Sequence, residues 1–337
     1  MKSKMLSKCV LAGLLAVAAV GGLAGCGGSA GSGASKSAGA DQQIVIYTNA
    51  DPEAQDAFKK ALDGNGYQGK YVMQSFGTSE LGGKLMAEGK NIEADMITMS
   101  TYYIDSAQKA NKMFLDLNFG KPLQKIPNYY RPTTGQFGSI FVNTEELKKA
   151  NLPAPKSIKD LANPVYKGHI SVPDIMGSST SWLLAQAAFD AYGEQEGAKL
   201  MKEIYANAGD HLEQSGSGPL KKVKAGEVAV GFGLRHQGLI EQKKGLPIEV
   251  IDPTEGNFFL TEGVAVIDKG NKAKQETALK MAQIIIEKGR PDLLKTYPMA
   301  LYEGEKVDPA YEPKYPKQFK EPLTVDLLKK HQKLIKG

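Results

Sequence analysis

Residues 167–182, KGHISVPDIMGSSTSW, contain the pattern that decides the fold of this chain. The β-branched run at 169–172 predicts a strand, and the apolar run at 182–192 predicts a helix. Between them lies a loop with four successive hydroxyl side chains: Ser178, Ser179, Thr180 and Ser181. Backbone N–H groups at the start of a helix lack intrahelical partners and attract anions. The loop therefore predicts either a simple helix cap or part of an anion-binding site.

The same alternation of strand and helix precedes this stretch. Apolar runs predict strands at 44–47, 70–74 and 94–99, and helices are predicted from Pro52 and over 81–88. Such alternation is typical of a doubly wound α/β sheet, in which ligands bind beyond the carboxyl ends of the strands. Polar residues follow those ends, and we expect them to line a ligand site: Thr48, Asn49, Thr78, Ser79, Ser100 and Tyr102.

The second half of the chain repeats the pattern after a Pro- and Tyr-rich loop at 122–134. Strands are predicted at 138–143, 228–232, 247–251 and 262–267, with a final amphipathic helix at 325–335. A second hydroxyl loop begins a helix and contains Ser215, Gly216 and Ser217.

Two basic side chains follow the strand at 228–232. The planar guanidinium of Arg235 suits a phosphonate, a phosphate or a carboxylate, and His236 offers a further donor. The alternative for Arg235 is an ion pair with a surface acid.

The first 42 residues are predicted to be a targeting segment outside the fold. Lys2, Lys4 and Lys8 precede an apolar run of small residues, so residues 1–25 are interpreted as a signal peptide. The tetrad at 23–26, Leu-Ala-Gly-Cys, resembles the lipobox of bacterial lipoproteins, which implies that Cys26 is acylated. The alternative is a secreted protein with an incidental cysteine. Residues 26–42 then comprise the lipidated cysteine and a flexible Gly/Ser tether.

Composition excludes several classes of function. The chain has 337 residues, of which 42% are hydrophobic and 23% charged, as in a soluble protein of two domains. Loss of the three signal lysines lowers the net charge from +5 to +2, so a nucleic-acid partner is not expected. The body lacks cysteine, and its histidines lack zinc-binding spacing, so no metal or cofactor is predicted. Residues 43–337 contain no G-x-S-x-G nucleophile elbow of the hydrolase type, so an enzyme is not expected.

Several segments together resemble one family. They are the strand at 44–48, FGTSELGGKL at 76–85, the strand at 94–97, DLANPVYKGHISVP at 160–173 and SGSGPLKKVKAG at 215–226. Their order over residues 43–290 resembles the extracellular solute-binding proteins of ABC importers. The similarity is to the branch that contains ferric-iron, phosphonate and sugar-phosphate receptors.

The resemblance implies a particular architecture. It is an α/β fold of two doubly wound lobes joined by crossover strands, as in type II periplasmic binding proteins, with the solute held between the lobes. Lobe 1 would comprise residues 43–137 and 257–300, and lobe 2 residues 138–256 and 301–337. The chain would cross between them near 135–143 and 251–262. The implied protein is a monomer, lipid-anchored on the extracytoplasmic face of the cell membrane, that delivers its solute to an ABC permease and its ATPase.

The predicted solute is a small organic anion of phosphonate or phosphate-ester type. Iron-binding members of the family carry a Tyr-Tyr pair just after the strand that corresponds to 228–232, where this chain has Leu234, Arg235 and His236. Arg235 beside a bound cation would be costly, since like charges repel in a desolvated cleft. If the solute also carries an amine, Glu262 or Asp95 would bind it. The alternatives are that Glu262 is a hinge residue and that Asp95 is a structural cap under the loops. The alternatives are a ferric-iron receptor and a lipid-anchored hydrolase that uses Ser217.

Overall fold

Residues 43–337 are described by a computed structural model, and the predicted signal peptide, Cys26 and the tether lie outside them. The described residues form one mixed sheet covered by helices. The strands are β1 Ile44–Thr48, β2 Tyr71–Ser75, β3 Met96–Ser100, β4 Arg131–Asn143, β5 Ile170–Pro173, β6 Leu212–Glu213, β7 Val230–Leu234, β8 Ile248–Ile251, β9 Asn257–Val266 and β10 Pro316–Lys317. Their order is β2-β1-β3-β9-β4-β7-β5-β6, with β8 paired to β4 and β10 to β9.

The helices cover both faces of this sheet. They are α1 Pro52–Leu62, α2 Thr78–Glu88, α3 Thr101–Asn111, α4 Thr144–Lys149, α5 Ser179–Ala208, α6 Gly218–Ala225, α7 Arg235–Lys243, α8 Lys272–Ile284, α9 Arg290–Thr296 and α10 Val325–Lys336. The long helix α5 is interrupted at Gly193, whose φ is 79°. This left-handed backbone conformation is strained for residues other than glycine. None of the helices in residues 43–337 is long and apolar enough to cross a bilayer.

Two long strands join the two halves of the sheet. The first part of β4 pairs with β9, from Arg131 opposite Val264 to Phe137 opposite Phe259. Its second part pairs with β7 and β8, which belong to the other half. Strand β9 continues into the first half, where Glu262 lies opposite Ser100 of β3. Two α/β halves linked by crossover strands confirm the predicted fold class, while the exact division of the chain into lobes stays a prediction.

Both crossover strands begin earlier in the structure than the sequence analysis predicted. Residues 131–134 were assigned to a loop, but they form the start of β4. A register shift between Pro132 and Thr134 accommodates the proline, which cannot donate to a regular ladder. Strand β9 starts at Asn257, before the predicted residue 262, because its Phe-rich beginning pairs with β4.

Helix α5, which begins inside the stretch 167–182, carries the fully buried Trp182. Its indole N–H donates to His331 Nδ1 of α10 at 2.8 Å. Its ring also meets Tyr102 of α3 edge-on, with the ring centroids 5.1 Å apart. Helix α10 packs along α5, and its Val325 N–H donates to Ser106 Oγ of α3 at 3.1 Å. Both halves of the molecule therefore contact this aromatic cluster and the last helix.

Candidate ligand-binding site

A pocket of about 90 Å³ lies between the two halves of the sheet. The first half and α9 contribute Asn49, Asp51, Phe76, Gly77, Thr78 and Tyr297. The crossover strands contribute Gln136 from β4 and Glu262 from β9. The second half contributes Ser178, Ser179, Thr180, Gln214, Ser215, Gly216 and Leu234. Eight of the predicted site residues thus line one pocket: Asn49, Thr78, Ser178, Ser179, Thr180, Ser215, Gly216 and Glu262.

Two helices begin at this pocket, one from each half of the sheet. Helix α2 starts at Thr78, and helix α5 starts at Ser179 after the N-cap Ser178. The hydroxyl of Ser178 accepts from the Thr180 backbone N–H at 3.2 Å. The loop is therefore a helix cap, as one interpretation held, but Ser179 and Thr180 also line the pocket. Helix starts of this kind supply partial positive charge and free N–H donors to an anion.

The second hydroxyl loop packs against the first. Ser215 Oγ accepts from the backbone N–H of Gly218, the first residue of α6, at 3.1 Å. Gly216 lies against Thr180 so closely that a Cβ at residue 216 would be 2.8 Å from Thr180 Cβ. Only glycine leaves Thr180 room at this position.

Two carboxylates line the same pocket. Glu262 Oε1 accepts from Asn49 Nδ2 at 3.1 Å and from Ser100 Oγ at 3.5 Å. Burial, and secondarily the charge of Asp51, raise the pKa of Glu262 to about 7. None of the pocket-lining residues that the structure describes is lysine, arginine or histidine. The fixed side-chain charge of the pocket is therefore negative.

Asp51 joins the two halves across the mouth of the pocket. It precedes α1 in the first half, and its carboxylate accepts from Ser217 Oγ at 3.0 Å and from Gln237 Nε2 at 3.3 Å in the second half. Burial raises the pKa of Asp51 as well. The predicted site residue Ser217 thus contributes to a contact between the halves and is not among the residues that line the pocket.

Four predicted site residues have structural roles beside the pocket. Thr48 Oγ1 hydrogen-bonds Thr98 Oγ1 at 2.6 Å and accepts from the Ala50 N–H at 3.0 Å, so it ties β1 to β3. Ser79 lies beside the Tyr103 hydroxyl, and Ser100 Oγ donates a hydrogen bond to Glu262 Oε1. Tyr102 is buried against Trp182. These four residues shape the site without lining it.

The structure corrects the prediction for Arg235. Its Nε and Nη2 donate to the two oxygens of Asp252 at 2.7 and 3.0 Å, and Nη1 donates to the Tyr311 carbonyl at 2.7 Å. The alternative prediction was an ion pair with a surface acid. The structure contains the ion pair, but Asp252 is largely buried, with its side chain 12% exposed. Arg235 does not line the pocket, because Asp252 holds its guanidinium elsewhere in the second half.

His236 and Asp95 are also placed away from the pocket. The His236 ring stacks on Tyr297, with centroids 4.6 Å apart, and lines a neighbouring cavity of about 200 Å³. Burial lowers the pKa of His236 to about 3, so it is neutral. Asp95 accepts from the Val45 N–H at 3.0 Å and lies 3.5 Å from Lys274 Nζ, as expected of a structural cap.

Sequence reasoning missed four polar lining side chains: Asp51, Gln136, Gln214 and Tyr297. Asp51 carried a signal, since it lies two residues after the predicted site residue Asn49, but its position before Pro52 suggested only a helix cap. Gln136 carried none, because its side chain reaches the pocket only through the pairing of β4 with β9.

Comparison with known proteins defines the class. Residues 87–318 match the family model described as bacterial extracellular solute-binding protein, and the chain belongs to this family. The predicted identity as a solute-binding protein of an ABC importer is therefore confirmed. Members of this class are extracytoplasmic binding proteins rather than enzymes, and they deliver small molecules to ABC permeases.

Individual relatives differ in their solutes. The chain is 25% identical over 228 residues to the spermidine/putrescine-binding periplasmic protein of Escherichia coli, with 60% of each chain covered. It is 30% identical over 220 residues to the Fe(3+)-binding periplasmic protein of Serratia marcescens, covering 61% of this chain and 60% of that relative. The chain thus spans less than two thirds of either relative.

A solved structure shares the fold. The periplasmic binding protein AfuA from Actinobacillus pleuropneumoniae, with fructose-6-phosphate bound, superposes with a TM-score of 0.69 at 21% identity. The match covers 87% of this chain and 96% of that one.

Proposed function

We propose that this protein captures a small solute that carries both a phosphonate or phosphate group and an ammonium group, and delivers it to an ABC permease. One observation carries the proposal. A buried carboxylate, Glu262, and a partly buried one, Asp51, line a pocket at which two hydroxyl-bearing helix starts also meet, and the lining residues described in the structure include no basic side chain.

The helix starts suit the anionic group. Thr78 at the start of α2 and Ser179 and Thr180 at the start of α5 offer hydroxyls and helix dipoles from opposite halves. A phosphonate has three acceptor oxygens, one more than a carboxylate, and so it can use donors from both helices. Without Arg235, these groups are the anion-binding elements of the pocket.

The carboxylates suit the ammonium group. A purely anionic solute would lie near Glu262 and Asp51, and like charges in a desolvated site repel strongly. An ammonium group relieves this repulsion and pairs with Glu262. The proposal therefore narrows the predicted organic anion to one that is also an amine.

The size of the pocket favours a short solute. A cavity of roughly 150 Å³ holds one benzene molecule. At about 90 Å³ the pocket is smaller, so in this conformation it is too small for spermidine or a sugar phosphate. We therefore propose a solute with about the size of an aminoalkylphosphonate, bound with slight separation of the halves.

Ferric iron is the second candidate solute. Asp51, Glu262 and the Tyr297 phenol line one pocket and are hard oxygen donors of the type that ferric iron prefers. The named ligand of the Serratia relative is the same ion. Within residues 43–337, however, no group of three His, Cys, Asp or Glu residues is arranged to hold a metal. A hydrolase is disfavoured, because Ser217 Oγ donates to Asp51 and not to a histidine.

A matched set of solutes tests the proposal by calorimetry. Ethylphosphonate lacks the amine of aminoethylphosphonate, and propylamine lacks its phosphonate. We expect aminoethylphosphonate to bind at least about 30-fold more tightly than either, since each charged contact contributes roughly 2 kcal/mol or more. Equal affinity for ethylphosphonate and aminoethylphosphonate would refute the proposal that the pocket binds an ammonium group. Tight binding of ferric ion with a phenolate-to-iron absorption band would favour the second candidate.

We also propose that Cys26 is acylated and that the Gly/Ser tether holds a monomeric receptor on the extracytoplasmic face of the membrane. The lipobox-like tetrad at 23–26 supports this anchoring. In cells fed an alkyne-labelled fatty acid, the wild-type protein should carry the label and Cys26→Ser should not. Equal labelling of both proteins would mean that this cysteine is not the attachment site.

A further inference from the structure

Three side-chain oxygens of the pocket have no hydrogen-bond donor among residues 43–337. Asn49 Oδ1 is a buried oxygen without a partner. Glu262 uses Oε1 for both of its hydrogen bonds, which leaves Oε2 free. Gln136 is only 6% exposed, lines the pocket, and makes no side-chain hydrogen bond within the described residues. Asn49 Oδ1 is the fully buried atom of the three, and buried polar groups are rarely left unpaired. Together with the free oxygens of Glu262 and Gln136 it points to a ligand with matching donors.

The orientation of the Asn49 amide is set by its neighbours. Its Nδ2 donates to Glu262 Oε1 at 3.1 Å and to Thr78 Oγ1 at 2.9 Å. The opposite orientation would face the amide oxygen toward the Glu262 carboxylate, which offers only acceptors when ionised. The unpartnered atom is therefore an acceptor.

The three residues lie at one end of the pocket. Thr134 is opposite Glu262 and Gln136 is opposite Leu260, so Gln136 and Glu262 share one face of the sheet on neighbouring strands. Diagonal neighbours of this kind are roughly 7–8 Å apart, which leaves room for one small group between their side chains. Asn49 contacts Glu262 directly and borders the same space.

We propose that this end of the pocket recognises a primary ammonium group through its three N–H donors and therefore discriminates against N-methylated amines. The inference rests on the proposed function, which requires only a positive charge. A primary ammonium has three donors, one for each of Asn49 Oδ1, Glu262 Oε2 and Gln136 Oε1. Each N-methyl group would remove a donor and leave one of these acceptors without its partner.

The aromatic residues of the pocket are not arranged to bind a methylated ammonium group by the faces of their rings. Quaternary ammonium groups are bound by the faces of several aromatic rings. Tyr297 already stacks on His236 at 4.6 Å, and Phe76 packs on Tyr47 at 4.6 Å. The pocket therefore recognises its cation by hydrogen bonds.

The test compares aminoethylphosphonate with its N-methyl and N,N,N-trimethyl derivatives by calorimetry. We expect affinity to fall with each methyl group, and the trimethyl derivative to bind at least about 100-fold more weakly, because sites built around hydrogen bonds reject analogues that lack the donor. Gln136→Met keeps the size of the side chain but removes its amide. In this variant the preference for the primary amine over the trimethyl derivative should fall about tenfold.

The outcomes separate this inference from the proposed function. If the trimethyl derivative binds within about threefold of the primary amine, and both bind more tightly than ethylphosphonate, the inference is wrong and the proposed function stands. If neither amine binds more tightly than ethylphosphonate, the proposed function is wrong. An unchanged preference in a correctly folded Gln136→Met variant, verified by circular dichroism, would show that size alone excludes the methyl groups and would overturn the inference.

Discussion

Replacement of Glu262 by glutamine is expected to weaken the binding of aminoethylphosphonate about 100-fold. Removal of one partner from a desolvated charge pair costs roughly 2–5 kcal/mol, and Glu262 is buried on the crossover strand β9 beside Asn49. Glutamine keeps the size of the side chain and can still contact Asn49. Calorimetry with ethylphosphonate provides the control, because a solute without an amine should bind Glu262→Gln at least as tightly as it binds the wild type.

The same substitution should change the pH dependence of affinity. The pKa of Glu262 is raised to about 7, and an ammonium group pairs only with the ionised form. Affinity for aminoethylphosphonate should therefore rise with pH up to neutrality in the wild type. The phosphonate itself titrates near pH ~6, so Glu262→Gln serves as the reference that isolates the carboxylate. Parallel pH profiles in the two proteins would contradict the assigned role of Glu262.

The free energy of unfolding of the ligand-free protein should change with pH in the direction opposite to the affinity for aminoethylphosphonate. Because the pKa of Glu262 is higher in the folded protein than its ordinary value of 4.5, the folded state binds the proton more tightly. Stability should then fall as pH rises from about 4.5 to about 7, by up to about 3 kcal/mol, and Glu262→Gln should lose most of this dependence. The raised pKa of Asp51 contributes in the same direction and remains in the variant.

Arg235→Met is expected to lower the free energy of unfolding by about 3–5 kcal/mol while leaving solute affinity within about threefold of the wild type. The substitution leaves the Asp252 carboxylate buried without its guanidinium partner. Asp252 also accepts from Asn257 Nδ2 at 2.9 Å and from the Lys314 N–H at 3.0 Å, so it joins three segments near the crossover. Burial alone would raise the pKa of Asp252, but the hydrogen bonds and charge of Arg235 hold it below its usual value.

Urea denaturation without ligand measures this effect, and a surface pair provides the control. Lys149 lies 2.7 Å from Glu146 and its side chain is largely exposed, so Lys149→Met should cost less than about 1 kcal/mol. The double variant Arg235→Met, Asp252→Leu should regain part of the lost stability, since it removes the unpaired charge. If Arg235→Met is as stable as the wild type but loses affinity for aminoethylphosphonate, Arg235 belongs to the ligand site after all.

Local patterns in the sequence predicted much of the fold and part of the site. Apolar runs located β1, β2 and β3 within two residues, and hydroxyl loops at helix starts located Thr78, Ser179 and Thr180 in the pocket. These features depend on neighbours a few residues apart. The sequence could not decide between the two interpretations of Arg235. Its partner Asp252 comes from a separate segment, and no local pattern indicates which acid lies beside its guanidinium. Gln136 was missed for a related reason, because its face is set by long-range strand pairing.

The buried cluster around Trp182 gives this receptor an intrinsic optical probe. The chain contains a single tryptophan, so all indole emission of the protein comes from one place. That indole belongs to α5 in the second half, and its edge-on partner Tyr102 belongs to α3 in the first. Any change in the angle between the halves alters this ring contact. Domain movement in the unlabelled protein can therefore be followed by fluorescence, with the solute itself optically silent.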